Sequence, residues 1–312
     1  MTDWWALITA ARRRIQGLVV ETPLVAWDDG LWLKCENAQV TGSFKLRGAL
    51  NKILRLTSHE LATGVVAASA GNHGQGVAYA ARLVGARATI VVPDDAVRRK
   101  IAAIRGLGAE VVEVPGGYGA AEIAGRRMAR ERGAVWVSPY NDPDIIAGQG
   151  TIGLELLEQL DETADIEVFV PVSGGGLVSG IGLALRAEER QFSVFGAQAE
   201  HAPFMHAYVH GQDPRQVVEK PTLADGLSGP IEEGSLTLEL AREVMREVWL
   251  VSEAEILEAL RYAWLEHRLG MEPSSAVALA AARRRGRNAP TIRVVVVSGG
   301  NVAPETLQGL ES

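Results

Sequence analysis

Short apolar, β-branched runs alternate along the chain with longer stretches whose apolar positions recur every three to four residues. Residues 65–68, 88–92, 110–114, 167–170, 193–197 and 291–297 predict strands. Their near-continuous apolar character suits parallel strands covered on both faces. Residues 74–84, 120–131, 175–189 and 253–269 predict helices. The βαβα alternation predicts an α/β fold with parallel sheet and right-handed crossovers. No internal repeat is present, and no linker stands out.

At 312 residues the chain exceeds what one hydrophobic core usually holds, which predicts one large domain with a lobe, or two domains. Apolar residues at 47% and charged residues at 22% are those of an ordinary globular protein. The 34 glycines follow no short period, which excludes collagen-like and low-complexity chains. The single cysteine, Cys35, excludes a disulfide scaffold and a multi-thiolate metal centre and fits a reducing cytoplasm. Net charge is −7. The basic clusters (Arg12 to Arg14, Arg126 with Arg127, Arg283 to Arg285) lie in helical patterns and read as solvated faces, not as a nucleic-acid surface. No apolar run approaches the ~18 residues of a membrane span. The N-terminal arginines follow the apolar residues Trp4 to Ile8, the reverse of a signal peptide. A soluble cytoplasmic protein is expected.

In open α/β sheets ligands bind where strands run into helices, and four such junctions carry unusual chemistry. In Thr41-Gly-Ser-Phe-Lys-Leu-Arg-Gly48 a lysine opens a helix with Leu46, Ala49, Leu50, Ile53 and Leu54 on one face. Beside the positive end of the helix dipole the Lys45 amine has a lowered pKa, and a neutral amine is a nucleophile. In Ser69-Ala-Gly-Asn-His-Gly-Gln75 small residues expose N–H groups to an anion, with Ser69 and Asn72 as side-chain donors. Pro171-Val-Ser-Gly-Gly-Gly-Leu177 forms a nest of N–H groups. It lacks the Lys and Ser/Thr of a P-loop and the G-x-G-x-x-G spacing, so a simple monophosphate fits better than a nucleotide. In Val294-Val-Val-Val-Ser-Gly-Gly-Asn301 a buried strand ends on one hydroxyl, Ser298, able to bond a ligand heteroatom.

Each segment alone also fits a surface lysine or an ordinary turn. Together they resemble the fold-type II enzymes that use pyridoxal 5′-phosphate, and within them the serine/threonine dehydratases and serine racemases. The motifs are SFK-x-RG, SAGNHGQG, GQGT at 148–151, SGGGL, Ala224-Asp-Gly226, Glu272-Pro273 and SGGN, in that order. The resemblance runs from Glu21-Thr-Pro-Leu24 to Asn301. It implies a two-lobed, tryptophan synthase β-like α/β fold with parallel-rich open sheets covered by helices. Residues 1–63 plus 142–312 would form the large, cofactor-binding domain and 64–141 the small one. It implies a small amino-acid substrate and a homodimer or homotetramer.

By the same resemblance Lys45 is the Schiff-base lysine and the base at Cα, and Phe44 packs on the cofactor ring. Asn72 bonds the ring hydroxyl. Ser173, Gly174, Gly175, Gly176 and Leu177 hold the phosphate, which protonates the leaving hydroxyl. Ser298 faces the ring nitrogen, and Gly226 and Glu272 line the site. Ser69, Ala70, Gly71, Asn72 and His73 hold the substrate carboxylate, with His73 open to either a packing or a site role. A serine, unlike an aspartate, supplies no charge to keep a pyridinium protonated, which favours β-elimination over transamination. The reaction implied is dehydration and deamination of L-threonine or L-serine to a 2-oxo acid and ammonia.

Departures from the pattern refine this. Serine racemases carry serine where Ala70 stands, so racemisation is disfavoured. Relatives place acidic metal ligands where this chain has Gln198 and Phe204, leaving only Glu200, so no metal is expected. The chain stops soon after SGGN, so the regulatory domain of biosynthetic threonine dehydratases, and feedback through it, is not expected. Tyr140 and Gly229 fall where serine-specific relatives use small polar contacts. Threonine is therefore preferred, with a bulkier 3-hydroxy amino acid as the alternative. A β-replacement enzyme usually differs in the asparagine loop, and a catalytically dead relative would lose Lys45 or Ser298.

Overall fold

The computed structural model describes residues 2–27, 30–160, 165–187, 192–286 and 291–311. Among the described residues ten strands form two sheets. They are β1 (Leu24–Ala26), β2 (Leu31–Cys35), β3 (Val65–Ala68), β4 (Ala88–Pro93), β5 (Glu110–Val114), β6 (Val135–Trp136), β7 (Ile166–Pro171), β8 (Phe192–Ala199), β9 (Glu247–Val251) and β10 (Ile292–Val297). The six-stranded sheet runs β1-β2-β10-β7-β8-β9 and the four-stranded sheet β5-β4-β3-β6. Every pair is parallel except the β1–β2 edge.

The strands predicted from apolar runs all pair in parallel, and five of them lie inside their sheets; the sixth, β5, is an edge strand whose residues are exposed or half-buried. One face of the larger sheet packs Phe169 and Phe195 against Leu279, and the other packs Val168 and Val194 against Leu177. The smaller sheet is likewise covered on both faces. Four strands gave no such signal. Three of them, β1, β6 and β9, are edge strands. The fourth, β2, lies inside the sheet, but Lys34 interrupts its apolar run, and that lysine is fully buried.

The helices follow the pattern with shifted ends. The first begins earlier than expected, as Asn72–Leu83, and the second spans Tyr118–Arg132. The last ends at His267, where Arg268 turns left-handed at φ 53°. The predicted 175–189 helix is Gly176–Leu185, and 188–189 lie outside the described residues. Helix Pro143–Gln159, which carries GQGT, packs backbone to backbone on Gly176–Leu185. A Cβ on Gly180 would sit 2.5 Å from Ile146 O.

The elements meet at a buried ion cluster. Arg47, in the first turns of helix Lys45–Ile53, has no exposed surface. Its guanidinium donates to Glu36 (2.8 Å from both Nε and Nη2) and to Glu155 (2.6 and 2.9 Å). Lys34 Nζ donates to Glu155 at 2.5 Å, to Thr22 O at 2.7 Å and to Gln159 at 2.9 Å. Two cations balance two carboxylates, and each charge has several partners. That is the condition under which buried charge is tolerated. Arg47→Met keeps the apolar stem but leaves the carboxylates facing Lys34 alone. We expect a loss of ~3–5 kcal/mol in urea unfolding; a loss below ~1 kcal/mol would show that water already reaches these charges.

Candidate active site

The C-terminal ends of β3, β7 and β10 open into Ser69–Gln75, the glycine loop and Ser298 respectively. Each of these strands lies in the interior of its sheet, where helices leave on either side.

Lys45 opens its helix, capped by Phe44 in helical geometry. Its Nζ donates to Pro139 O at 2.9 Å and lies 5.0 Å from the Phe44 ring centroid. Burial lowers its pKa to about 8, and Glu272 pulls the other way. The sequence pointed to the helix dipole for this shift; the main cause in the structure is desolvation. Phe44 is half-buried on the apolar face below the glycine loop, and its N–H donates to Ser298 O at 3.0 Å.

Ser69 Oγ accepts the Gly71 N–H at 3.1 Å, which shapes the turn before helix Asn72–Leu83. That helix has no side-chain N-cap, so its first-turn N–H groups are left for a ligand. Ala70 packs on the smaller sheet's core. His73 is buried, and its neutral ring donates from Nε2 to Val137 O at 3.0 Å. Burial, with Lys45 nearby, holds its pKa down at about 3. His73 is therefore uncharged across the physiological range, with its ring turned to the Val137 carbonyl.

Asn72 reaches across to the larger sheet. Its Nδ2 lies 2.9 Å from both Glu272 oxygens, and its Oδ1 accepts from Asn301 Nδ2 at 2.7 Å. Glu272 caps helix Pro273–Arg285. Burial raises its pKa to about 7 against the Asn72 hydrogen bonds. Gly226 lies in the short turn Asp225–Leu227, where a Cβ would meet Ser274 Oγ at 2.7 Å. Ser298 is buried, with its Oγ 3.1 Å from Ser275 Oγ.

The glycine loop is buried at Gly174, Gly175, Gly176 and Leu177, with Ser173 at its mouth. Gly175 has φ 84°, a conformation suited only to glycine. Among the described residues no acceptor bonds the N–H groups of Ser173, Gly174, Gly175, Gly176 and Leu177. Buried N–H donors without partners are costly, and a phosphate would satisfy several at once. The lysine and this loop are neighbours. Lys45 bonds Pro139, and the next residue, Tyr140, packs its ring against Gly174 and its Cβ and backbone against Gly176. Tyr140 OH accepts the Glu232 N–H at 2.8 Å. Gly229 lies nearest Tyr118. These residues fit pyridoxal 5′-phosphate: an amine of lowered pKa, a nest of unpaired N–H groups and a hydroxyl at a strand end.

Gln198 is buried with Oε1 accepting from His206 N at 2.9 Å; Phe204 is buried, and Glu200 is exposed. Sequence reasoning missed Arg47, Ser275, Pro139 and the bridging role of Asn301. Arg47 and Asn301 sit inside quoted motifs. Pro139 acts through its backbone carbonyl, which no residue type signals.

A family described as "Pyridoxal-phosphate dependent enzyme" matches residues 15–300. The chain is 44% identical over 273 residues to an L-threonine ammonia-lyase of Thermotoga maritima, covering 87% of this chain and 67% of that protein. Its fold is similar to that of the processed form of threonine deaminase isoform 2 from Solanum lycopersicum, with TM-score 0.90 and 30% identity over 99% of this chain and 91% of the other. It is also similar to maize serine racemase, with TM-score 0.87 and 33% identity over 98% and 95%.

The raised Glu272 pKa has a consequence for stability. An ordinary carboxyl near 4.5 is ionised in the unfolded chain while Glu272 still holds its proton in the fold. Folding therefore binds a proton between pH 4.5 and about 7, and stability falls as pH rises through that window. Glu272→Gln should remove this fall, up to about 3 kcal/mol. Unfolding midpoints for both proteins at pH 5, 6, 7 and 8 check it: the gap should move in favour of the variant as pH rises, and parallel profiles would show Glu272 titrating normally.

Proposed function

Because this chain belongs to the pyridoxal-phosphate dependent enzymes, we propose that it dehydrates and deaminates a 3-hydroxy amino acid, L-threonine or L-serine, to a 2-oxo acid and ammonia. The observation that carries the reading is the Lys45 amine. It has a pKa lowered to about 8 and bonds the carbonyl of Pro139, the residue before the tyrosine that packs on an unpaired N–H nest.

When bound, pyridoxal 5′-phosphate supplies an aldehyde for the substrate amine and a ring that draws electrons from Cα. Ser173, Gly174, Gly175, Gly176 and Leu177 would hold its phosphate through backbone N–H groups, and Phe44 would pack beside its ring. Asn72, Gly226 and Glu272 line the site. Ser69, Ala70, Gly71, Asn72 and His73 take the substrate carboxylate at the helix N-terminus. Lys45 provides the anchoring amine and then removes the Cα proton. Ser298 would give the ring nitrogen a neutral hydrogen bond, without the charge that an aspartate would bring. That choice favours loss of the β-hydroxyl over transamination. Water leaves from Cα and Cβ, and a second water releases ammonia.

The lobes we assign are 1–63 plus 142–312 and 64–141, with the site between them. A homodimer or homotetramer in the cytoplasm is our reading of the resemblance and of the single cysteine. No helix among the described residues is long and apolar enough to cross a membrane. Threonine is our preferred substrate, with a bulkier 3-hydroxy amino acid as the alternative. A racemase is the second reading, favoured by the likeness to maize serine racemase and opposed by Ala70.

Lys45→Ala should abolish ammonia release while leaving the unfolding midpoint close to wild type. Borohydride reduction followed by peptide mass spectrometry should place the cofactor adduct on Lys45; an adduct on another lysine would refute the assignment.

Racemisation needs a proton removed from one face of Cα and another delivered to the other. Lys45 serves one face, and the methyl of Ala70 offers neither acid nor base on the other. An unpositioned donor forfeits most of the ~10²–10⁴-fold contribution of general acid catalysis. Partial turnover of L-serine in deuterated water, followed by chiral chromatography, should give the 2-oxo acid and no D-serine. D-serine formed as fast as the oxo acid would make the enzyme a racemase. Ala70→Ser should introduce some racemisation.

A further inference from the structure

Ser298 is not alone. Ser275, at the third position of helix Pro273–Arg285, is completely buried and makes three contacts with the Ser298–Gly299 segment. Its Oγ accepts the Gly299 N–H at 2.9 Å. It lies 2.8 Å from Gly299 O and 3.1 Å from Ser298 Oγ. A hydroxyl has one proton, so Ser275 can donate to the carbonyl or to Ser298, but not to both.

The rest of the geometry shows what this choice controls. If Ser275 donates to Gly299 O, its oxygen can accept the Ser298 proton, which then points away from any ligand. If Ser275 donates to Ser298 Oγ, the Ser298 proton is free to point elsewhere. The second arrangement does not orphan the carbonyl, because Glu272 N–H also donates to Gly299 O, at 3.1 Å. A carbonyl has two lone pairs and keeps one partner either way. The exchange therefore trades one hydrogen bond for another without stranding a buried group.

We propose that Ser275 is a positioning residue that donates to Ser298, so that the Ser298 proton is directed to the ring nitrogen of the bound cofactor. This rests on the reading of the site given above and adds a residue to it. Donation from Ser275 also polarises the Ser298 O–H and strengthens it as a donor. Ser275 lies in the first turn of helix Pro273–Arg285 and Ser298 faces it, and the positive end of that helix disfavours a positive charge on the ring nitrogen. The pair thus holds the ring nitrogen hydrogen-bonded but uncharged.

The test uses the cofactor-loaded enzyme and its visible absorbance as a function of pH. Ser275→Ala removes the donor and frees the Ser298 proton from control. We expect the variant to keep bound cofactor, to shift the pH midpoint of its visible band by roughly half a unit or more, and to lose roughly 2- to 13-fold in kcat, the scale of one net hydrogen bond, with a smaller change in KM. Ser275→Thr keeps the hydroxyl and should restore both midpoint and turnover. Ser275→Cys, of similar size but a weak donor, should behave like Ala if Thr is too bulky for the buried position. A purely structural role would lower the unfolding midpoint of the Ala variant and leave the spectral titration and kcat at wild-type values; that result overturns the proposal for Ser275 alone. A wild-type protein that acquires no visible band with pyridoxal 5′-phosphate overturns the reading of the site, and this proposal with it.

Discussion

The guanidinium of Arg47 is the contact on which the site's geometry depends. It lies two residues beyond Lys45 in the same helix, so whatever holds Arg47 also sets where the lysine emerges. It is held by Glu36, just after β2, and by Glu155, on the helix that leads from the smaller sheet back to the larger. Lys34 shares Glu155 and returns the cluster to charge balance. An isolated charge in this position would be prohibitive; four charges with interlocking hydrogen bonds specify one arrangement of three elements.

Around the lysine the same physics shifts the titrating groups. Burial takes Lys45 down to about 8, Glu272 up to about 7 and His73 down to about 3. All three shifts favour the neutral form, because none of these groups has a fully compensating partner. A pocket of near-neutral groups contrasts with the Arg47 cluster, where strong pairing preserves charge. The contrast separates scaffold from chemistry: fixed ions hold the frame, His73 stays neutral, and Lys45 and Glu272, which titrate near neutral pH, can exchange protons.

The two sheets are joined at the site by polar bridges. Asn72, at the start of a helix of the smaller sheet, is held by Glu272 and Asn301 of the larger. Lys100 pairs with Asp225 at 2.7 Å, and Arg126 with Glu232 at 2.8 Å. The latter two pairs are partly exposed and worth little individually. Asn72 is the more consequential bridge, because its amide bonds two residues of the larger sheet's side, one of them a carboxyl raised to about 7.

The sequence by itself determined the parallel α/β character, because central strands buried on both faces must be continuously apolar, and 65–68, 88–92 and 291–297 are. It also marked the four junction segments, because glycine runs, a helix-opening lysine and a hydroxyl after a valine run are local features. Local signals could not reveal β2, whose Lys34 reads as exposed until Glu155, 121 positions away, neutralises it. Nor could they reveal the work of Arg47, Ser275 or Pro139. Their partners lie far along the chain or are backbone atoms, and only folding brings them within hydrogen-bond distance. The cause of the Lys45 shift was likewise decided by tertiary structure: a helix start is visible in the sequence, but desolvation is a property of everything packed around it.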